Sequence, residues 1–79
     1  MDATLVFLGR LADLAGSGEQ AVASGPLADV LAGLPVTLAL ALTEERVRWA
    51  LNGQLVSRES VPNLAEGDEL AFLPPVSGG

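Results

Sequence analysis

The feature that most constrains the fold is a pair of prolines that directly follows an apolar run near the end of the sequence. The run over residues 69–73 alternates like a strand. Proline has a fixed φ angle and no amide donor, so the pair can neither continue a sheet nor enter the interior of a helix. The chain should therefore leave the sheet after Leu73 as an extended, polyproline-like tail. This tail consists of Pro74, Pro75, Val76, Ser77, Gly78 and Gly79.

The tail carries no charged side chain, and its side chains become smaller towards the end, so the carboxylate of Gly79 is its only charge. Fully extended, the tail would reach about 20 Å. Chain ends are often disordered, but a taper of this kind suits a narrow channel in another protein, where the tail would present its own end. We therefore expect a folded domain over residues 1–73 and a flexible Gly-Gly tail over residues 74–79.

The composition excludes several kinds of chemistry within the chain. A sequence of 79 residues, 49% of them hydrophobic, makes one small domain with enough apolar surface to fold. The absence of Cys and His excludes disulfides, zinc sites of the usual ligands, and thiol or imidazole catalysis. The four basic residues are all Arg, which excludes a lysine Schiff base. We expect the chain to bind neither a metal nor a cofactor.

The charge balance indicates which partners to expect. Ten acidic and four basic residues give a net charge of −6, which has the wrong sign for nucleic acid. It suits a basic protein partner, although solubility alone would explain it. No apolar run approaches the roughly 18 residues of a membrane span, and Asp2 argues against a signal peptide. We expect a cytoplasmic protein that contacts neither nucleic acid nor membrane.

The first half of the chain predicts a hairpin followed by a helix. The predicted elements are a strand over 3–9 that is apolar on both faces, one or two helical turns over 10–15, a returning strand over 19–23 and the main helix over 24–34. In the main helix, Ser24 is the expected N-cap and Pro26 lies in the first turn. Gly33 and Pro35 should end it.

The second half predicts further strands. Residues 36–42 alternate Leu and Ala and fit either a strand or a helix; we favour a short helical or irregular stretch over the core. The other predicted elements are strands over 46–51 and 54–56, a single turn over 61–64, a tight turn over 66–68 and the last strand over 69–73. Asn52-Gly53, between the first two of these strands, is the strongest hairpin signal in the sequence.

The order of these elements predicts an α+β fold of the β-grasp type, a mixed sheet of four to five strands with one main helix packed on one face. The last strand should pair beside the first, so that both lie in the middle of the sheet. On the side that faces the helix, strand alternation predicts a core of Leu5, Phe7, Val47, Trp49, Leu70 and Phe72.

The opposite face of the sheet should carry a second apolar patch. Alternation places Leu8 and Leu73 there, and hairpin parity adds Leu55 while turning Val56 inward. The predicted elements include no second helix to cover this face. Single exposed leucines are ordinary, but a contiguous apolar patch on a small protein more often marks an interface. Because the patch lies where the tail leaves the sheet, it suits a docking surface that aligns the tail.

Three weaker signals carry less information. Gly16 and Gly18 flank a serine but lack the lysine and long helix of a phosphate loop, so we expect a plain turn. The acidic residues at 66, 68 and 69 lie on a tight turn, where solvation is a better interpretation than metal binding. Arg46 and Arg48 could contact an acidic partner, or they could only solvate the outer face.

Several stretches resemble the small subunit of molybdopterin synthase, the MoaD type of sulfur carrier in the ThiS/MoaD family. The resemblance is strongest over residues 67–79, which read GDELAFLPPVSGG. It extends to residues 50–56, ALNGQLV, and to residues 10–16, RLADLAG, after the opening strand. It covers most of the chain, and residues 19–38 are its least specific part. Relatives often have aromatic residues at the outer positions where this chain has leucine.

The resemblance implies a ubiquitin-like β-grasp fold and a definite chemistry at the chain end. An E1-like (MoeB-like) activating enzyme would use ATP to adenylate the carboxylate of Gly79. Sulfur from the persulfide of a sulfur-donor enzyme would then replace AMP to give a thiocarboxylate. The loaded tail would enter the large (MoaE-like) subunit of molybdopterin synthase and give its sulfur to a pterin precursor of the molybdenum cofactor. The chain would bind no cofactor itself, and the large subunit would supply the catalysis.

The same resemblance assigns roles to individual residues. Gly79 would carry the adenylate and the thiocarboxylate, and Gly78 beside it would let two different enzymes close around the carbonyl without side-chain obstruction. The uncovered outer face and the tail motif together give the expected partner-binding residues, which are Leu8, Leu55, Leu73, Pro74, Pro75, Val76 and Ser77.

Other functions remain open at this point. The chain could carry sulfur for thiamin or tRNA thiolation, although the thiamin carrier usually lacks the Pro-Pro pair. It could be a β-grasp interaction module whose tail docks in a carboxylate-binding nest of another protein. It could also be a protein tag joined to target lysines through Gly79; the absence of Lys would forbid self-linked chains but not tagging.

Overall fold

The computed structural model describes residues 2–75, which form seven strands and three helices. The strands are β1 (Asp2–Phe7), β2 (Glu19–Ala23), β3 (Gly25–Pro26), β4 (Arg48–Leu51), β5 (Gln54–Val56), β6 (Asn63–Leu64) and β7 (Glu69–Leu73). The helices are α1 (Arg10–Ala15), α2 (Leu27–Ala32) and α3 (Val36–Leu42). Among these residues no helix has the length and hydropathy needed to cross a membrane.

The larger sheet has five strands in the order β2-β1-β7-β4-β5. Strands β1 and β7 are parallel, and all other neighbours in this sheet are antiparallel. The last strand therefore pairs beside the first, and both lie inside the sheet as the sequence predicts. This is the predicted α+β arrangement of the ubiquitin-like β-grasp type, with the helices on one face of a mixed sheet.

The core lies between the helices and one face of this sheet. Three aromatic rings form its centre: Phe7 stacks on Phe72 with ring centroids 5.9 Å apart, and Trp49 meets Phe72 edge-on at 6.4 Å. Leu5 and Leu70 are fully buried beside them. All six core residues expected from strand alternation are buried.

The helical layer differs from the expectation of one main helix. Residues 24–34 are helical only over Leu27–Ala32, and α3 packs beside α1 and α2 as a second segment of similar length. The favoured helical interpretation of residues 36–42 is confirmed. The helical layer is built from three short helices because each contributes buried leucines to the same core: Leu11 from α1, Leu27 from α2, and Leu38 and Leu42 from α3.

Two predictions about connecting segments are wrong, for one shared reason. Ser24 does not cap α2; Pro26 occupies the N-cap position without a side-chain cap bond. Residues 63–64 are not a turn but the short strand β6, which pairs with β3. This second, two-stranded sheet and the bond from the Leu27 amide to the Pro62 carbonyl, 3.1 Å, hold the chain extended up to the helix. The pairing joins segments far apart in sequence, so local capping signals cannot report it.

A polar clasp, made of the side chains of Asn52 and Asp68, joins the β4–β5 turn to the loop before β7. Asn52 Nδ2 donates to Asp68 Oδ1 over 3.0 Å, and the amide of Glu69 donates to Asn52 Oδ1 over 2.9 Å. The Asn52 backbone has a left-handed φ of 50°, which asparagine tolerates better than most residues. The clasp thus pins the register of β4 against β7 at the end of the sheet away from the tail.

Candidate docking face and tail root

The strand registers decide which side chains lie on the outer face of the sheet, the face opposite the core. Leu73 of β7 lies opposite Arg48 of β4, and Leu55 of β5 lies opposite Ala50 of β4, so all four share this face. Leu8, just beyond β1, continues the outward parity of that strand, and its amide donates to the Phe72 carbonyl over 3.3 Å.

This outer face carries the apolar patch that the sequence predicts. We define the outer patch as Leu8, Leu55 and Leu73. Leu55 is 61% exposed, Leu8 is 41% exposed and Leu73 is half-buried. All three helices of residues 2–75 contribute buried leucines to the core on the other side of the sheet, so none of them covers the patch. The predicted inward orientation of Val56 is also confirmed, since it packs against the core.

The tail root, defined as Pro74 and Pro75, leaves β7 beside the start of α1. Both prolines are half-buried. A Cβ at Gly9 would lie 3.2 Å from Cγ of Pro74, and Gly9 also has a left-handed φ of 55°, so only glycine fits well there. The left-handed φ of Gly9 also takes the backbone out of the extended conformation. The sequence assigned Gly9 to the first strand, but β1 ends at Phe7. The tail therefore begins from a position fixed against the folded domain.

Two concave surfaces meet at the tail root. A groove of about 810 Å³ runs along β4 and β5 and is lined by Leu55 and Leu73 together with both prolines. On the other side, a cleft of about 330 Å³ lies between α1 and the α3–β4 loop, with the exposed Leu14 in its wall. Apolar surface thus continues from the outer patch past the point where the tail leaves the fold.

Arg58 holds the α3–β4 loop in place beside the groove. Its guanidinium lies 4.4 Å from the ring centroid of Trp49 and donates to the carbonyls of Thr43, Glu44 and Val47. The Trp49 indole donates to the carbonyl of Leu42 over 3.1 Å. A half-buried cation that satisfies three carbonyls fixes the loop that borders both the groove and the cleft.

An exposed ion pair lies on the same loop. Arg46 Nε donates to Glu44 Oε1 over 2.9 Å. This hydrogen bond holds the pKa of Glu44 below its usual value, and the nearby charge of Arg10 adds to the effect. The pair is solvent-exposed, so its effect on stability is small. Two arginines, Arg46 and Arg10, thus both act on one carboxylate at the tail root.

The structure brings together the predicted site residues that it describes. Leu8, Leu55 and Leu73 share the outer face, and Pro74 and Pro75 extend from it. The predicted roles of Val76, Ser77, Gly78 and Gly79 lie outside the described residues.

Sequence reasoning missed three features of the site: the close approach of Gly9 to Pro74, the anchoring role of Arg58 and the position of Arg10 at the cleft. A glycine directly after an apolar strand was the available signal for the first. The two arginines are brought to the tail root only by the tertiary fold.

The acidic turn before β7 has a structural role. Asp68 accepts hydrogen bonds from Asn52 Nδ2 and, over 2.9 Å, from the amide of Ala65, and both lower its pKa. Within residues 2–75 no group of three or more acidic side chains is arranged to hold a metal ion.

A family model and several solved structures match this chain. A model of the ThiS family matches residues 5–79. The crystal structure of SAMP1 from Haloferax volcanii is similar, with a TM-score of 0.75, 27% identity and coverage of 100% of both chains. The solution structure of small archaeal modifier protein 1 from Methanosarcina acetivorans has a TM-score of 0.76 at 24% identity, covering 99% of this chain and 96% of that one.

A third similar structure comes from a two-subunit assembly. It is a complex of subunits 1 and 2 of the molybdopterin-converting factor from Helicobacter pylori, with a TM-score of 0.66, 23% identity and coverage of 100% of both chains. At that identity the likeness shows the fold alone. A search of curated protein sequences gave no significant match.

Proposed function

The chain belongs to the ThiS family of ubiquitin-like proteins, and on that premise we propose that it is the sulfur-carrying small subunit of a molybdopterin synthase. The observation that supports this most is the uncovered outer patch beside the tail root. A carrier whose reactive group sits on its own chain end must dock so that this end reaches a distant active centre. An apolar patch that adjoins the tail would set the direction of the tail on docking.

In the proposed reaction, the carboxyl group of Gly79 is the only reacting group that the chain supplies. A carboxylate is a poor electrophile, so an E1-like enzyme first transfers AMP from ATP to one of its oxygens and releases pyrophosphate. The outer sulfur of a persulfide on a donor enzyme then attacks the carbonyl carbon, and AMP leaves. A thiol cleaves the remaining S–S bond and releases the thiocarboxylate. This scheme places the transferred sulfur on the chain end and therefore needs no cysteine in the carrier.

The proposed acceptor complex uses the outer patch. The Helicobacter pylori neighbour is described as a complex of subunits 1 and 2 of a molybdopterin-converting factor. We propose that this chain likewise pairs with a large subunit, which would supply the acid, base and pterin-binding groups. Leu8, Leu55 and Leu73 would be buried there, and the tail would enter the large subunit's active centre.

Intact mass spectrometry of the protein purified from its own cells tests the loading step. We expect a fraction of the chains to be heavier by the difference between one sulfur and one oxygen, and to gain the mass of one alkyl group on treatment with a thiol-alkylating agent, since the chain has no cysteine to react in place of the thiocarboxylate. The same spectrum tests whether Gly79 is the last residue of the cellular protein. An unmodified carboxylate in cells that make the activating enzyme would contradict the proposal.

Tail variants test where the sulfur is carried. Deletion of Gly79 would move the reacting carbonyl by about 3.3 Å, and a misplacement of about 1 Å can cost a hundredfold in rate. Addition of an alanine after Gly79 would bury the carboxyl in a peptide bond. Both variants should remain folded by circular dichroism and should lose synthase turnover with activator, ATP and sulfur donor. Val36→Ala, an exposed position on α3 away from the outer patch and the tail, is the control and should retain turnover within a few-fold. Near-normal turnover from either length variant would exclude Gly79 as the sulfur site.

A second candidate function is protein modification, which the likeness to SAMP1 favours. In that case the activated Gly79 would form an isopeptide bond with lysine side chains of other proteins rather than accept sulfur. Proteolytic digestion of cell extract distinguishes the two. Lysine residues that carry the end of this tail would support modification, whereas a thiocarboxylate on the free chain with no such lysines would support sulfur transfer. Sulfur-transfer assays with the substrates of thiamin synthesis and of tRNA thiolation would show whether the carrier serves those pathways.

A further inference from the structure

The four arginines of the chain, which are all of its cationic side chains, converge on the tail root. The groove along β4 is lined by Arg46, Arg48 and Arg58, and the cleft beside α1 is lined by Arg10 and again by Arg46. Pro74 and Pro75 line both surfaces. We call these four residues the arginine collar. The tail root therefore lies between two surfaces that together contain all four positive side chains.

The collar reverses the sign of the protein's charge locally. Only two carboxylates, Glu44 and Glu45, line the same two surfaces, so the collar region carries 4 − 2 = +2. The other eight acidic residues line neither surface and carry −8, which together gives the net charge of −6. They are Asp2, Asp13, Glu19, Asp29, Glu59, Glu66, Asp68 and Glu69. The two surfaces at the tail root therefore carry a net positive charge, although the chain as a whole is negative.

The members of the collar are not equally free to bind a partner. Arg46 is paired with Glu44, and Arg58 is occupied by three backbone carbonyls and the face of Trp49. Among residues 2–75, Arg10 and Arg48 make neither a side-chain hydrogen bond nor an ion pair, and both are exposed. They line different surfaces, one on each side of the tail root.

We propose that the arginine collar docks onto an acidic protein surface that surrounds the channel receiving the tail; this rests on the proposed function. Arg10 and Arg48 lie on opposite sides of the tail root, so they suit carboxylates spread over a surface rather than one small anion. Arg48 also shares its groove with Leu55 and Leu73. An apolar centre with arginine at its edge is the composition of a protein interface.

The positive charge of the collar would influence how an acidic partner approaches the chain. The collar attracts an acidic partner at the tail root, while the net charge of −6 on the whole chain repels it. Such complementarity raises the rate and fixes the orientation of encounter more than it raises affinity. The partner would therefore meet the tail first, before the outer patch becomes buried.

A titration of the isotope-labelled full chain with a synthetic hexaglutamate peptide, followed by NMR at low ionic strength, tests the proposal. Amide shifts should be confined to the collar and the residues beside it, and should weaken as salt is added. Hexaglutamine is the neutral control and should cause no shifts. Inorganic phosphate is the small-anion control. Equal binding of phosphate at the same residues would identify a small-anion site and overturn the proposal, as would shifts that are absent or scattered.

Matched variants separate the collar from net charge. Arg48→Gln and Arg10→Gln should each weaken peptide binding by about 1.5- to 5-fold, the range for one exposed ion pair. Gln20→Glu gives the same net charge of −7 but lies on β2, three strand spacings, or about 14 Å, from β4. The variants are therefore compared at 0.1 M salt, where a charge that far away is largely screened, and there Gln20→Glu should bind like the original chain. Equal weakening by Gln20→Glu would show that only net charge matters and would overturn the proposal.

The peptide titration requires neither sulfur loading nor a natural partner. If sulfur transfer fails while hexaglutamate binds the collar, the proposed function is wrong and the docking surface stands. If the chain carries sulfur but the collar does not bind the peptide, the docking proposal is wrong and the proposed function stands. The spectrum of each variant also reports whether its fold is intact.

Discussion

The two faces of strand β7 carry side chains of similar hydrophobicity with opposite fates. Phe72 and Leu70 point to the helices and are fully buried, whereas Leu73 points to the outer face and remains half-exposed beside Leu55 and Leu8. The difference arises from the placement of the helices, since all three helices described here pack on the same side. One strand thus supplies the core through alternate residues and part of the outer patch through a residue between them.

This division explains how a chain of 79 residues can form a buried core and still leave apolar side chains uncovered on the other face of the sheet. A two-residue period means that a register shift of one position would exchange the faces completely. The two faces therefore stay distinct only while the strands keep their register. Substitutions of similar severity should have opposite consequences, with loss of stability on the inner face and loss of partner binding on the outer face.

Trp49→Ala should have the largest effect, because Trp49 is the principal inner-face residue of β4. Truncation of a buried tryptophan costs about 3–5 kcal/mol, which is most of the stability of a small domain. The variant also loses the indole bond to Leu42 and the surface on which Arg58 lies. Urea denaturation followed by circular dichroism should show a largely unfolded chain. Trp49→Phe, which keeps a ring, is the control and should lose less; an unchanged midpoint for Trp49→Ala would refute the inner-face assignment.

Leu55→Asp should show the opposite behaviour on the outer face. The side chain is mostly exposed, so the free energy of unfolding should change by no more than about 0.5 kcal/mol. Binding to the large-subunit partner should weaken by about 2–4 kcal/mol, because an unpaired charge would be buried at the contact. Isothermal titration calorimetry measures this. Val36→Asp is the matched control, since Val36 is 74% exposed but lies on α3 away from the patch. Loss of binding from both variants would contradict a localised patch.

The faces could be predicted from the sequence because strand alternation is a local signal. The residues of β4 and β7 alternate strictly, so the inner and outer sets follow from the period once a helix is placed on one side. The strong Asn52-Gly53 turn then fixed the partner of β4 and placed Leu55 outward. In the same way, the Pro-Pro pair marked the end of β7 to the residue.

The features that escaped prediction depend on contacts between distant segments. Pairing of β3 with β6 extends the chain where the sequence predicted a helix N-cap and a turn, and neither two-residue strand is long enough to show a period. The arginine collar is assembled in the same way. Arg58 reaches carbonyls 11 to 15 residues earlier, and Arg10 approaches the tail root only because α1 folds beside it. The sequence left two roles open for Arg46 and Arg48 because their common surface is formed by tertiary structure.

Asn52→Ala should test the register that keeps the two faces distinct. The substitution removes both side-chain bonds of the clasp and forces alanine into a left-handed conformation. Each lost hydrogen bond is worth about 1 kcal/mol or less at an exposed site, and the strain adds about 1 kcal/mol, so we expect a loss of about 2 kcal/mol. Asn52→Gly removes the bonds without the strain and should lose about 1 kcal/mol less. Urea midpoints measure both; equal losses would show that the backbone conformation is not strained for alanine.

The smallest expected effect is a pH dependence at the other half of the clasp. The hydrogen bond from Asn52, aided by the amide of Ala65, lowers the pKa of Asp68 in the folded state. A carboxylate whose folded pKa lies below its unfolded pKa of about 3.9 stabilises the protein above that pH, and the contribution disappears as the pH falls through the folded value. Asp68→Asn should therefore be less stable than the original chain at pH 6, and the two urea midpoints should converge below about pH 4. Glu19→Gln, which removes a carboxylate with no side-chain bond among residues 2–75, should show no such convergence. A difference between the urea midpoints of Asp68→Asn and the original chain that stays constant down to pH 2.5 would contradict this. The charge of Asp68 would then play no part in holding β7 in the register that separates the core from the outer face.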